Sequence, residues 1–267
     1  MLEDKAKLSQ QGMYTHTQGA GKDVVLLHGW GMHSGIWDGI LPELVSRYRV
    51  TLIDLPGHGR SVPAGFTLDG LVNDLNEIMP VHSILVGWSL GAIVAQRFAI
   101  TFPEKLDKLI LVSGTPRFVD EDGWPHATRQ EVFSQFSHDL AQDYQSTLKR
   151  FIYLQSRGSE KAGETQKQLH ETMVNGPQPD SVSLRCGLDI LGSADLREEL
   201  NKIQCPVQLI MGERDTLVPV EVGNNIIEML DKANLEIIPG AGHAPFLSRP
   251  AKFIQVVNSF IEAGISE

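Results

Sequence analysis

The chain has 267 residues, 42% of them hydrophobic, and a formal net charge of −10. That length buries a large core, in one domain or a domain with an insertion, and the negative field excludes general binding to nucleic acid or to anionic membrane. No apolar run approaches the roughly 20 residues of a membrane span, and Cys186 and Cys205 lack the spacing of a disulfide framework or zinc site, so a soluble, cytoplasmic protein with two reduced thiols is expected.

From the N-terminus, residues 1–11 are polar and lack an apolar signal core; about the first ten read as a loose tail. Short apolar, β-branched runs then recur at 24–27 (VVLL), 50–53 (VTLI), 84–86 (ILV), 109–112 (LILV), 207–210 (VQLI) and 235–238 (LEII). Helical stretches such as 68–79 and 92–101 separate most of them. Apolar strands alternating with helices imply a mostly parallel sheet covered on both faces, with its active site beyond the carboxyl ends of the strands. The alternation breaks once, at 113–205, which is too long for a structureless loop. Tyr144, Leu148, Phe151 and Ile152 fall on one helix face. A helical cap or lid over 113–205 is therefore expected, inserted in a core built from 1–112 and 206–267.

The run at 84–86 leads into Gly87-Trp88-Ser89-Leu90-Gly91. Serines flanked by glycines also occur in ordinary turns. A strand before and a helix after make this one a nucleophile elbow, with the Ser89 hydroxyl raised above the sheet edge. A serine hydroxyl needs a base, and the base needs a group that fixes its tautomer. His243, in Gly-Ala-Gly-His-Ala-Pro after the last strand, fits the base. Of the nine histidines, His16, His33, His82, His126, His138 and His170 lie in polar settings, while His28 and His58 belong to glycine-rich turns. Asp215, after the strand at 207–210, fits the acid, with Glu213 as the lesser choice. Serine, acid and histidine then follow the α/β-hydrolase chain order. The oxyanion requires donors contributing about 3–4 kcal/mol each; the backbone amides of Leu90 and of Trp30, in His28-Gly29-Trp30-Gly31, are assigned to it. No phosphate-binding or dinucleotide motif occurs, so neither a cofactor nor a metal is expected.

Together HGWG, DLPGHGRS, GWSLG, GERD and GAGHAPF resemble the α/β-hydrolase superfamily. LLHGWGMHSGIW, RFIYLQ and GHAPFLSRP extend the resemblance, over nearly the whole length, to the BioH-type pimeloyl-acyl-carrier-protein methyl ester esterases of biotin synthesis. That resemblance implies an α/β-hydrolase fold with a cap after the sixth strand, a triad of Ser89, Asp215 and His243, and oxyanion donors at Trp30 and Leu90. It also implies substrate contacts from Trp30, Trp88, His243 and the stretch Phe151, Ile152, Tyr153, Leu154 and Gln155, although Phe151 also fits a packing role. The implied reaction removes a methyl ester from a pimeloyl chain on its carrier, releasing methanol.

An acyl carrier protein is acidic, so an acidic enzyme needs a local exception to meet it. Residues 146–167 hold Lys149, Arg150, Arg157, Lys161 and Lys167 against Glu160 and Glu164, a net +3. Arg150 and Arg157 share a helix face if the helix persists to Gly158. The cluster reads either as a docking patch that steers the carrier or as a solvated helix face. A monomer is expected. The competing readings are a general carboxylesterase, a lactonase or a carbon–carbon bond hydrolase on the same fold and, in a different class, a non-catalytic binding module.

Overall fold

The structure is a computed structural model that describes residues 3–264. Its six apolar runs join two polar strands in one eight-stranded sheet: β1 (Glu3–Leu8), β2 (Tyr14–Gly19), β3 (Asp23–Leu27), β4 (Arg49–Ile53), β5 (Ser83–Trp88), β6 (Leu106–Val112), β7 (Val207–Gly212) and β8 (Ala233–Ile238). The spatial order is β1-β2-β4-β3-β5-β6-β7-β8. The pairs β1/β2 and β2/β4 are antiparallel, and all the others are parallel. Both β5 and β7 are buried along their whole length, which is why they read as unbroken apolar runs and not as alternating ones.

Of the N-terminal tail expected from the sequence, residues 3–8 are instead an edge strand, and residues 1 and 2 lie outside the described residues. β1 is EDKAKL, and the charged side chains of Asp4, Lys5 and Lys7 suit an edge exposed to water, so its pairing with β2 leaves no hydrophobic signature. In β2, alternate side chains are buried, but two of these are Thr15 and Thr17, whose polarity conceals the strand.

Around the sheet lie α1 (Leu41–Val45), α2 (Leu68–Asn76), α3 (Leu90–Thr101), α8 (Val220–Glu228), α9 (Pro245–Ser248) and α10 (Pro250–Glu262). Between β6 and β7 the chain carries α4 (Gln130–Gln142), α5 (Tyr144–Ser156), α6 (Ala162–Asn175) and α7 (Ser181–Ser193). Asp143 and Asp180 start α5 and α7 by accepting the N–H groups of Ser146 and Ser183, satisfying donors that the first helical turn leaves free. Among the described residues no helix is long and apolar enough to cross a membrane.

Register sets where the loops emerge. Leu27 pairs with Gly87, Trp88 with Val112, Val112 with Ile210, and Gly212 with Ile238. The strands β3, β5, β6, β7 and β8 therefore end at one edge. The inserted helices are tied to loops at that edge: Asp180 N–H donates to Gly57 O at 2.8 Å, Trp30 Nε1–H to Leu184 O at 2.8 Å, and His33 Nε2–H to Thr172 O at 2.9 Å.

Lys108 holds the last helix against the sheet. Its Nζ, largely buried on β6, donates to Phe260 O (2.7 Å), Ile261 O (3.1 Å) and Ala263 O (2.6 Å), carbonyls that the end of α10 leaves without intrahelical donors. Burial lowers the ammonium pKa. Lys108→Met keeps the apolar stem but orphans these acceptors, and should lower stability in urea unfolding by about 2–3 kcal/mol.

Candidate active site

Ser89 occupies the turn from β5 into α3 with φ 56° and ψ −116°. A side chain held in that region costs about 1–3 kcal/mol, so the surroundings must impose it. They do so through hydrogen bonds from Ser89 N–H to Val112 O (3.1 Å) and from Ala92 N–H to Ser89 O (2.9 Å). The flanking glycines are required by contact: a β-carbon on Gly87 would lie 2.3 Å from Gly91 O, and one on Gly91 would lie 2.6 Å from the carbonyl oxygens of Leu27 and His28. The helix consequently starts close against the loop that follows β3.

The serine, histidine and aspartate singled out in the sequence meet at this edge. His243 Nδ1–H donates to Asp215 Oδ2 at 2.8 Å, and Nε2 faces Ser89 Oγ at 2.9 Å. A carboxylate only accepts, so the Nδ1 position carries the proton and Nε2 is free to accept the serine's. Asp215 is itself fixed: its other oxygen accepts the N–H groups of Leu217 (2.8 Å) and Val218 (3.0 Å). Ser89 and Asp215 are each 6% exposed and His243 1%, so these hydrogen bonds are largely shielded from competing water. Glu213, the lesser choice of acid, accepts the Gly240 N–H at 2.8 Å and ties the two loops together.

Trp88 is a further residue expected to contact substrate. Its ring is fully buried against Trp37 and Phe246, and its Nε1–H donates to His243 O at 2.8 Å. It supports the histidine loop from below. No local sequence pattern showed this, because the rings that bury it, Trp37 and Phe246, and the carbonyl it bonds, on His243, are distant in the chain.

His28 and His58 organise the neighbouring turns. His28 Nδ1–H donates to Gly29 O (2.8 Å), and its Nε2 accepts the Leu55 N–H (2.9 Å). Burial, with His58 alongside, pushes its pKa down to about 3, which keeps the imidazole neutral in this bridge. Burial likewise lowers the His58 pKa, and Nδ1–H donates to Pro56 O at 2.9 Å. The loop they brace presents Trp30. The Leu90 amide is the first N–H of α3 and has no intrahelical acceptor, and the Trp30 amide has no protein acceptor among the described residues.

Beside Trp30 lies an apolar cavity of about 60 Å³, lined by Phe118, Phe133, Phe136, Phe151, Leu154 and Leu188 among others. The rings of Phe136 and Phe151 meet Trp30 edge-on, with centroids 5.6 and 5.0 Å from it. Of the five-residue stretch read as substrate-contacting, Phe151 and Leu154 line this cavity. Ile152 is buried in the core, Tyr153 is exposed, and Gln155 is buried with neither amide atom hydrogen-bonded. Sequence reasoning missed Phe133 and Phe136. With Leu140 they fall at helical spacing on α4, a signal that reads first as ordinary packing.

The five cations of the basic cluster are all exposed. Arg150 pairs with Asp139 (3.0 Å), Lys161 with Glu164 (3.3 Å) and Lys167 with Glu171 (3.8 Å). The expected alignment of Arg150 with Arg157 does not form: α5 ends at Ser156 and Arg157 adopts φ −58°, ψ 142°, because the chain must turn there to enter α6.

Residues 24–256 match the family model described as the alpha/beta hydrolase family. The chain is 40% identical over 243 residues to a pimeloyl-[acyl-carrier protein] methyl ester esterase from Nitrosomonas europaea, covering 91% of this chain and 96% of that protein. It is 39% identical over 246 residues to the protein of the same name from Aeromonas hydrophila, again covering 91% and 96%. Among solved structures, an esterase from Exiguobacterium antarcticum superposes with a TM-score of 0.87 at 24% identity, over 98% of this chain and all of that one; at that identity the likeness concerns the fold.

Trp88→Phe keeps the buried ring and removes one hydrogen bond to the histidine loop. It should lower kcat for p-nitrophenyl acetate by about two- to tenfold, with KM and far-ultraviolet circular dichroism unchanged.

Proposed function

The chain belongs to the alpha/beta hydrolase family and within it to the pimeloyl-[acyl-carrier protein] methyl ester esterases, and on that premise we propose that it is a serine carboxylesterase that hydrolyses the methyl ester of pimeloyl-acyl-carrier protein. Methanol leaves and the free carboxylate stays on the carrier-bound chain, a step of biotin synthesis. The observation that carries the chemistry is the hydrogen-bonded line from Asp215 through His243 to Ser89 on a strained elbow.

In this reading Ser89 Oγ attacks the ester carbonyl while His243 Nε2 takes its proton. The negative charge that develops on the carbonyl oxygen is met by the N–H groups of Trp30 and Leu90, the latter strengthened by the positive end of α3. The imidazolium formed is stabilised by the buried Asp215 carboxylate. It returns the proton to the departing methoxide, and methanol diffuses away. Water, deprotonated by the same nitrogen, then attacks the acyl-enzyme and releases the acid and Ser89. No step requires an added redox or metal centre.

The insertion at 113–205 serves as the cap over the core formed by 1–112 and 206–267. Its aromatic cavity beside Trp30 suits a methylene chain, which gains about 0.8 kcal/mol per buried CH₂. The carrier itself meets the exposed surface of α5, α6 and the turn between them, where Lys149 and Arg157 add positive charge to the paired Arg150, Lys161 and Lys167. The enzyme works as a cytoplasmic monomer and engages neither membrane nor nucleic acid. A general carboxylesterase is the second reading, supported by carboxylates that neutralise three of the five cations.

The test is kcat/KM for methyl pimeloyl-acyl-carrier protein against free dimethyl pimelate. A strong preference for the carrier-bound ester is expected, and Ser89→Ala should lower kcat by about 10⁴-fold or more on both. Equal or reversed preference moves the assignment to the general esterase. Charge reversal by Lys149→Glu with Arg150→Glu should raise KM for the carrier-bound ester and leave the free diester unaffected; equal effects on both would discard the docking face.

A further inference from the structure

The turn between α5 and α6 brings the inserted segment onto the loops that carry the acid and the base. Between α5 and α6 the chain passes through Gly158, whose φ is +83° and where a β-carbon would lie 2.3 Å from Arg214 O. The cap backbone therefore lies directly on the residue preceding Asp215. Glu160 follows, and its N–H donates to Gly240 O at 2.9 Å, just ahead of His243. Its carboxylate accepts Arg214 Nη2–H on Oε1 at 3.0 Å and pairs through Oε2 with Arg249, just beyond His243. The two loops are also joined to each other, by Arg214 N–H to Ala241 O at 2.8 Å and by Gly240 N–H to Glu213 Oε2 at 2.8 Å.

We propose that Glu160 is a positioning residue for ester hydrolysis: a carboxylate supplied by the cap that fixes the Asp215 loop against the His243 loop. The proposal rests on the reading of those residues as acid and base of an esterase. The side chains of Glu160, Arg214 and Arg249 are 46%, 48% and 27% exposed, and ion pairs so placed add little to global stability. Their effect is local. The pairs hold two loops whose separation sets the 2.8 Å bond between His243 and Asp215, and a misplacement of about 1 Å in such a site costs as much as a hundredfold in rate. Because Glu160 lies on the inserted segment, seating of the cap and completion of the triad become one event.

The experiment compares wild type, Glu160→Ala and Glu160→Asp with p-nitrophenyl acetate, a substrate too small to need the carrier-facing surface, and records the downfield proton resonance of His243 Nδ1–H without substrate. Glu160→Ala should lower kcat by about ten- to hundredfold, leave KM within about twofold, shift or broaden the resonance, and leave the unfolding midpoint near that of wild type. Glu160→Asp, which keeps the charge, should recover part of both signals. Unchanged kcat and resonance in Glu160→Ala would overturn the proposal, as would lost activity that follows lost stability with the resonance intact. If wild type turns over no ester, the esterase reading falls, and the resonance alone decides whether Glu160 sets the loop geometry.

Discussion

The backbone of Ser89 is the constraint from which the rest of the site follows. Its positive φ is unfavourable for a residue with a side chain, and two close approaches hold it there, Gly87 to Gly91 and Gly91 to the carbonyls of Leu27 and His28. The first makes the turn tight. The second brings the N-terminus of α3 against the loop after β3, which places the Leu90 and Trp30 amides on neighbouring segments. A parallel sheet whose strands end in register then delivers the loops after β7 and β8 to the same edge.

Around this edge polar and apolar materials are divided. The serine, histidine and aspartate are buried and hydrogen-bonded in a line, a setting in which fixed dipoles act more strongly than in water. Beside Trp30 the lining is aromatic and aliphatic. Such a division suits a neutral ester with a hydrocarbon chain, and it disfavours retention of a carboxylate product in the apolar part, where no cation among the lining residues would offset its desolvation. The inserted helices supply the apolar lining, and through Glu160 they also reach the loops of the acid and the base.

Much of this was legible in the sequence for physical reasons. Buried parallel strands must be apolar, so β3, β4, β5, β6 and β7 are visible as runs, and the edge strand β8 shows through Leu235, Ile237 and Ile238. The elbow is visible because only glycine fits two residues to either side of Ser89. What was hidden depends on contacts between distant segments. β1 is an exposed edge whose charged residues need only a partner strand, and β2 buries threonines. The inward direction of the Trp88 indole depends on Trp37 and Phe246 beneath it, and the role of Glu160 depends on Arg214 and Arg249, distant in the chain. The end of α5 at Ser156 set Arg157 apart from Arg150, since a helix leading into a reversed neighbour must stop where the turn begins.

The central claim is that the elbow presents an activated nucleophile. Its most direct test is treatment of the folded protein with a fluorophosphonate, followed by mass spectrometry of the intact chain and its peptides. The account predicts stoichiometric phosphonylation confined to Ser89, and its loss in His243→Ala. No labelling of wild type, or labelling spread over other serines, would contradict it and favour a non-catalytic binding protein on this fold.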